Sequence, residues 1–294
     1  MARRAGTGAG GFARYTAGAS VGRGVGPENG AAIRDVTLFN DLDTIGGNDA
    51  MAGGDGDDRM FGQLGDDAMN GNDGNDDLVG HLGADAMDGG AGDDALVGDK
   101  GWIVTDILDG SAARVIKEQG PRLFANIEVA GTLKRTVTLV DAAIGSGDVL
   151  TGGLGNDSLH GGAGDDTLYG DGPGLTAGGG SDILFGDLGN DALLGGAGDD
   201  HLWGGAGDDL LDGQAGADTA FGGSGDDRLV ADVAADQLID WTGPRNTFVT
   251  PTKGSPTVIR SPAPQVRQWL LDLAASDGAA DPMLEIGVLA PSQL

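Results

Sequence analysis

The chain has 294 residues, 46 of them acidic and 17 basic, for a net charge of −29, with 59 glycines, no cysteine and only 4% aromatic residues. That charge works against nucleic-acid binding, and the missing cysteines exclude a disulfide framework and thiolate-held metals. So much glycine and so few large apolar side chains leave either a repeat architecture or a disordered acidic tract.

Residues 1–33 carry four arginines and no acid before Glu28, with no apolar run long enough for a signal peptide or a membrane span. The segment is expected to be disordered. Two enzyme-like patterns fall in it: Gly6, Gly8 and Gly11 match G-x-G-x-x-G, and Gly18, Ser20 and Gly22 match G-x-S-x-G. The first needs a strand before it and a helix after it, the second a strand-turn-helix context, and neither has its context. From Arg34 the run RDVTLF alternates as a strand does, and a degenerate unit with Gly47, Asp49 and Met51 follows.

Between Gly53 and Val97 one nine-residue unit, G-G-x-G-x-D-x-U-x with U large and apolar, occurs five times. Its sixth position is Asp58, Asp67, Asp76, Asp85 and Asp94, its fourth Gly56, Gly65, Gly74, Gly83 and Gly92, and Gly54 holds the second position of the first unit. Residues 99–134 then break the period. WIVTDIL, ARVIKE and FANIEVA are short β-prone segments punctuated by glycine and proline, so a compact strand-rich insertion is predicted. Its basic residues balance the acidic arrays on either side, and no nucleic-acid motif is present.

From Arg135 the run RTVTLV resembles the one at Arg34, which suggests that each array brings its own leading strand, paired with its first coil. The second array has eight units from Gly152 to Val230. Asp157, Asp166, Asp182, Asp191, Asp200, Asp209, Asp218 and Asp227 hold the sixth position, and Gly155, Gly164, Gly180, Gly189, Gly198, Gly207, Gly216 and Gly225 the fourth. Its third unit is stretched by GPGLTAG. Residues 231–294 leave the repeat, and Val266, Trp269, Leu270 and Leu273 stand at helical spacing, as in a short amphipathic helix of a C-terminal cap.

A unit of this form, thirteen times in phase, resembles the RTX (repeats-in-toxin, hemolysin-type) calcium-binding proteins. The resemblance implies a parallel β-roll, Ca²⁺ as cofactor, and secretion through a type I exporter that reads an uncleaved C-terminal signal.

The residues support much of this by themselves. Glycines allow positive φ, so six residues form a turn and the last three a short strand whose eighth side chain points inward while the seventh and ninth face solvent. Successive strands lie on opposite walls, so two units make a turn and unit n stacks on unit n+2, with Asp58 over Asp76 and Asp157 over Asp182. Carboxylates and glycine carbonyls stacked in this way, without thiolate or imidazole, make a hard oxygen site suited to Ca²⁺. Residues 46–98 hold 13 Asp and one Arg and residues 147–230 hold 16 Asp and one Arg, so the arrays carry nearly all the net charge.

Each unit buries one Leu or Met worth ~1.5–3 kcal/mol against ~1–2 kcal/mol of backbone entropy per ordered residue, so ion binding is expected to drive folding. The fold class read from the sequence is therefore all-β, a parallel β-roll in two blocks, with about three ion sites in the first and six in the second. Catalytic residues are not expected: His81, His160 and His201 fall at different repeat positions and read as surface histidines, and no H-E-x-x-H occurs. The expected function is a non-enzymatic calcium-binding module of a secreted protein. The alternative is the noncatalytic part of a larger RTX hydrolase or adhesin.

Overall fold

The computed structural model describes residues 46–107, 127–128, 133–139, 141–172, 179–232, 236–240, 245–251 and 256–260, together with the short strands Arg3–Arg4, Arg14–Ala17 and Arg34–Thr37. Regular structure among them is strand throughout. No helix among the described residues is long and apolar enough to cross a membrane. The helix expected around Val266–Leu273, the two glycine patterns near the N-terminus and the middle of the insertion lie outside the described residues.

The repeat folds as a flattened coil. Strands such as Arg59–Leu64, Ala68–Asp73 and Asp77–Leu82 alternate between two parallel sheets, and neighbours within a sheet are one two-unit turn apart, as in Met60 beside Leu78 and Met69 beside Met87. The strands are six residues long rather than three, because the ladder runs on from positions seven to nine through the first three positions of the next unit. At position two the chain takes a positive φ, even where the residue is His81 (φ 93) or Asp187 (φ 70). Only the fourth to sixth residues remain as the turn.

The two arrays build one roll. Ala86–Ala91 pairs directly with Val149–Leu154, and Ala95–Val97 with Ser158–Ala163, so the coil continues across the insertion. It also continues past Val230, through Gln237–Ile239, Thr247–Val249 and Thr257–Ile259, giving parallel sheets of about nine turns. The expected leading strands are therefore a correction. Leu133–Leu139 pairs antiparallel with Gly101–Ile107, and Arg34–Thr37 with Arg14–Ala17, so neither segment pairs with the first coil of its array. A continuous roll has no open end at Asp148 for such a strand to close.

Inside the coil the eighth residues stack in a single column from Met60 through Leu96, Leu150 and Leu159 to Leu229 and Leu238, with Met51, Phe248 and Val258 packed against it. The ninth position departs from expectation. On the nine-stranded sheet Val79, Val97, His160, Phe185, Trp203 and Phe221 are buried on the outer face, where Val79 and Val97 cluster with Ile103 and Val137 of the insertion hairpin. On the ten-stranded sheet the same position carries Asn70, Asp88 and Thr151, which stay in contact with solvent.

Candidate metal centre

The sixth residue of each unit closes the turn and ties it to the next turn. The main-chain N–H of Asp58 donates to Asp76 Oδ1 at 2.7 Å, Asp76 to Asp94 and Asp94 to Asp157 at 2.7 Å, and Asp157 to Asp182 at 2.8 Å. That row runs on through Asp200 and Asp218 to Asp236. The opposite edge carries Asp49, Asp67, Asp85, Asp148, Asp166, Asp191, Asp209 and Asp227, and ends on Asn246. All thirteen expected aspartates thus stand in two unbroken rows, and the expected stackings of Asp58 with Asp76 and Asp157 with Asp182 are present. Asp49, Asp148 and Asp236 join them, so each row has seven Asp-to-Asp steps, fourteen in all, where two separate blocks would give about three and six.

In these rows Oδ1 is used by the neighbouring N–H and Oδ2 is turned inward. For Asp76, Asp85, Asp148, Asp166, Asp182, Asp191, Asp200, Asp209 and Asp218, Oδ2 is buried and meets no donor among the described residues, while the Asp227 side chain pairs with that of Asp240. The space it faces lies over the first-position glycine. A methyl built on Gly161 would meet Asp166 Oδ2 and lie 2.8 Å from the Gly186 carbonyl oxygen, and the same pair of oxygens recurs over Gly53, where each is at 2.8 Å. The first-position glycines were absent from the predicted site, although their signal was present: Gly fills that position in every unit.

The fourth-position glycines do a different job. Most have positive φ, and Gly74, Gly83, Gly92, Gly155, Gly180, Gly189, Gly198, Gly207, Gly216 and Gly225 each sit so close to the carbonyl of the corresponding residue one turn before that no side chain fits. They pack turn on turn at the outer edge, with Gly56 starting one stack, Gly65 packed over Gly47 in the other, and Gly164 packed over Ser146. Gly54 has nothing within 4 Å of the place its side chain would take.

Fifth-position residues form a second ladder in the opposite direction: Asn75 N–H donates to Asp57 Oδ1, Asp93 to Asn75, Asn156 to Asp93 and Ser181 to Asn156. Asp and Asn alternate along this edge, so no two of its carboxylates are adjacent from Asp57 to Ser181. At the far end of the other edge Arg245 Nε pairs with Asp226 at 2.8 Å.

Burial raises ten of the sixth-position carboxyls, Asp76 to about 6, and nearby charges push the same way, while the hydrogen bond each makes with a main-chain N–H opposes. Asp85 is pushed up to about 9, Asp148, Asp166, Asp191, Asp200 and Asp209 to about 8, and Asp182, Asp218 and Asp227 to about 7. A folded-state value above the unfolded one means that protonation favours the fold: the contribution is complete below about 3.8 and disappears as pH rises through about 6 to 9. In chelator, the protein is therefore expected to gain strand signal by circular dichroism as pH is lowered from about 9 to about 4. A signal that stays flat or falls contradicts this.

At neutral pH a cation is the other way to neutralise these oxygens. Carboxylate and carbonyl oxygen with neither nitrogen nor sulfur is the donor set of a hard cation, and several oxygens on a loop of this flexibility suit Ca²⁺ better than octahedral Mg²⁺. Among the described residues no three acidic, imidazole or thiol side chains converge on one point, so main-chain carbonyls must supply much of any coordination shell. The histidines lie elsewhere, and two of them are not the surface residues expected: His81 is 8% and His160 0% exposed, while His201 is half-buried and its pKa lowered by that burial. His160 stacks on Phe185 at 4.6 Å with Nδ1 3.5 Å from Asp187, because the ninth position of this sheet is covered.

Parallel strands in a two-wall coil, with rows of inward carboxylates at the turns, define a β-roll built around cations. A model of the RTX calcium-binding nonapeptide repeat matches residues 43–78, 70–101, 144–172, 176–211, 194–229 and 203–238, just over half of the chain. The protein belongs to this family, and its repeats are calcium-binding repeats. No curated protein sequence matches the chain.

Proposed function

We propose that this chain is a non-enzymatic, calcium-triggered folding module of a secreted protein, held unfolded where calcium is scarce, exported by a type I system and folded outside the cell. The observation that carries the reading is the pair of carboxylate rows: nine buried Oδ2 atoms without a donor cannot all be accommodated in a dry turn at neutral pH unless a cation or protons neutralise them. The ions would sit between successive turns, on sixth-position carboxylates and the glycine carbonyls beside them. Calcium supplies the positive charge, and the chain supplies the register that places one carboxylate per unit at each step.

Export is tested by expressing the whole chain with a type I exporter and following it into the medium. Removing residues 261–294 leaves every described turn in place and is expected to abolish release. Undiminished release of the truncated chain contradicts a C-terminal signal.

A further inference from the structure

Between Gly53 and Val230 the nine-residue period is interrupted twice, and both interruptions share a geometry that the regular turns lack. In a regular turn the second residue of a unit lies under the second residue of the unit two further on. The atom directly beneath is the lower residue's carbonyl oxygen: Asn72 under Gly90, Gly90 under Gly153, Asp187 under Gly205 and Gly205 under Gly223. Both insertions start after this second position, at Gly98-Asp99 and at Gly170-Asp171, and the chain returns to the third position at Gly145 and at Gly179. A residue whose chain departs here no longer leaves its carbonyl in the ladder.

At these two points a side chain occupies the vacated place. Beneath Gly162 lies Asp99 Oδ2, and beneath Gly196 lies Asp171 Oδ2. These two oxygens accept the main-chain N–H of Ala163 and of Ala197, both at 2.6 Å and from 64 and 26 residues along the chain. Asp99 also accepts the N–H of Ser146, in the segment that returns from the insertion. Gly145 and Gly179 press against the same carboxylates so closely that no side chain fits at either. Asp99 is 3% and Asp171 5% exposed, so neither is there to solvate a surface.

We propose that Asp99 and Asp171 are splice residues, each carboxylate standing in for the main-chain carbonyl that the departing chain removes. An insertion can then be carried between the second and third positions without opening the ladder, and Asp148 and Asp182, the next sixth-position residues, stay in their rows. The short Asp side chain places an oxygen about where a backbone carbonyl would be, and its second lone-pair set can hold the returning strand as well. They are positioning residues for the rows, and this role rests on the ladder rather than on the proposed export.

Asp187 provides the internal control, since it is an aspartate at the same position with no insertion and its own carbonyl remains beneath Gly205. Glycine is the residue that the repeat itself uses there, at Gly90, Gly153, Gly162 and Gly196 among others. Asp99→Gly, Asp171→Gly and Asp187→Gly should therefore be compared in the full chain at saturating calcium by amide hydrogen exchange. The Ala163 amide is expected to exchange about 10- to 100-fold faster in Asp99→Gly and the Ala197 amide likewise in Asp171→Gly, whereas Asp187→Gly leaves both unchanged. Asp99→Asn and Asp171→Asn keep an acceptor oxygen and should stay within about threefold of the parent.

Equal protection in all three glycine variants overturns the proposal. So does an Asn variant as exposed as its Gly counterpart, because the charge and not the acceptor would then be what matters. If Asp99→Gly does not fold at any calcium concentration, folding of Asp99→Asn upholds the acceptor role and its failure refutes it.

Discussion

Gly161→Ala is expected to destabilise the calcium-loaded roll by about 3 kcal/mol or more, while Gly47→Ala costs well under about 1 kcal/mol. The added methyl at Gly161 would meet Asp166 Oδ2 and stand 2.9 Å from Asp166 Cγ and 2.8 Å from the Gly186 carbonyl oxygen. None of these can move aside cheaply: Asp166 is fixed by N–H donation from Asp148 at 2.7 Å, and the carbonyl belongs to the main chain one turn further on. Backbone torsion plays no part, since Gly161 is not in the left-handed region. The methyl would also fill the space that the two oxygens face, so the calcium concentration needed for folding should rise several-fold. Gly47 is the matched control because nothing lies within 4 Å of its side-chain direction. Urea unfolding in saturating calcium measures both costs. Equal costs would mean that the first-position glycines have no special place at the carboxylates.

The period made much of this molecule legible. An apolar eighth residue and an Asp sixth residue in constant phase require a coil, and the choice of two units per turn follows from placing strands on opposite walls; Asp58 with Asp76 and Asp157 with Asp182 confirm it. The union of the two arrays was hidden because the unit that joins them is split: Gly98 and Asp99 open it, and Ser146, where glycine is usual, Asp148 and Leu150 close it after the insertion. The last turns were hidden for a related reason. Asp236 and Asn246 keep the rows, and Leu238 and Phe248 keep the core, but Ala231 and Asp240 stand where the first-position glycine is usual.

The covered flank had a signal that a nine-residue reading cannot resolve. Val79, Val97, Phe185, Trp203 and Phe221 recur at the ninth position of alternate units, whereas the units of the other sheet carry Asn70, Asp88, Thr151 and Asp212 together with the half-buried Tyr169 and Leu194. A period of eighteen separates the two sheets and shows one of them to be apolar outside as well as inside. Reading each unit alone averages this away, which is also why His160, at the ninth position of the covered sheet, looked exposed.

Removal of calcium is expected to have the largest effect of all. Each unit contributes one buried column residue worth ~1.5–3 kcal/mol, while ordering its nine residues costs ~1–2 kcal/mol apiece in backbone entropy, so packing alone leaves the coil dependent on its ladders and ions. Seven Asp-to-Asp steps along each edge add repulsion whenever the carboxylates are ionised and no cation lies between them. Binding and folding are then one reaction, and since each turn rests on its neighbours it should be cooperative. The most direct test is a calcium titration of the full chain at pH 7.5, with circular dichroism and native mass spectrometry read on the same samples. Strand signal should be absent in excess chelator and appear together with bound calcium at ~0.1–1 mM, the range of extracellular calcium modules, approaching one ion per inter-turn step. Magnesium at the same concentration should not replace it. Undiminished strand signal in excess chelator, or folding that does not track the number of ions bound, would contradict a roll built around calcium.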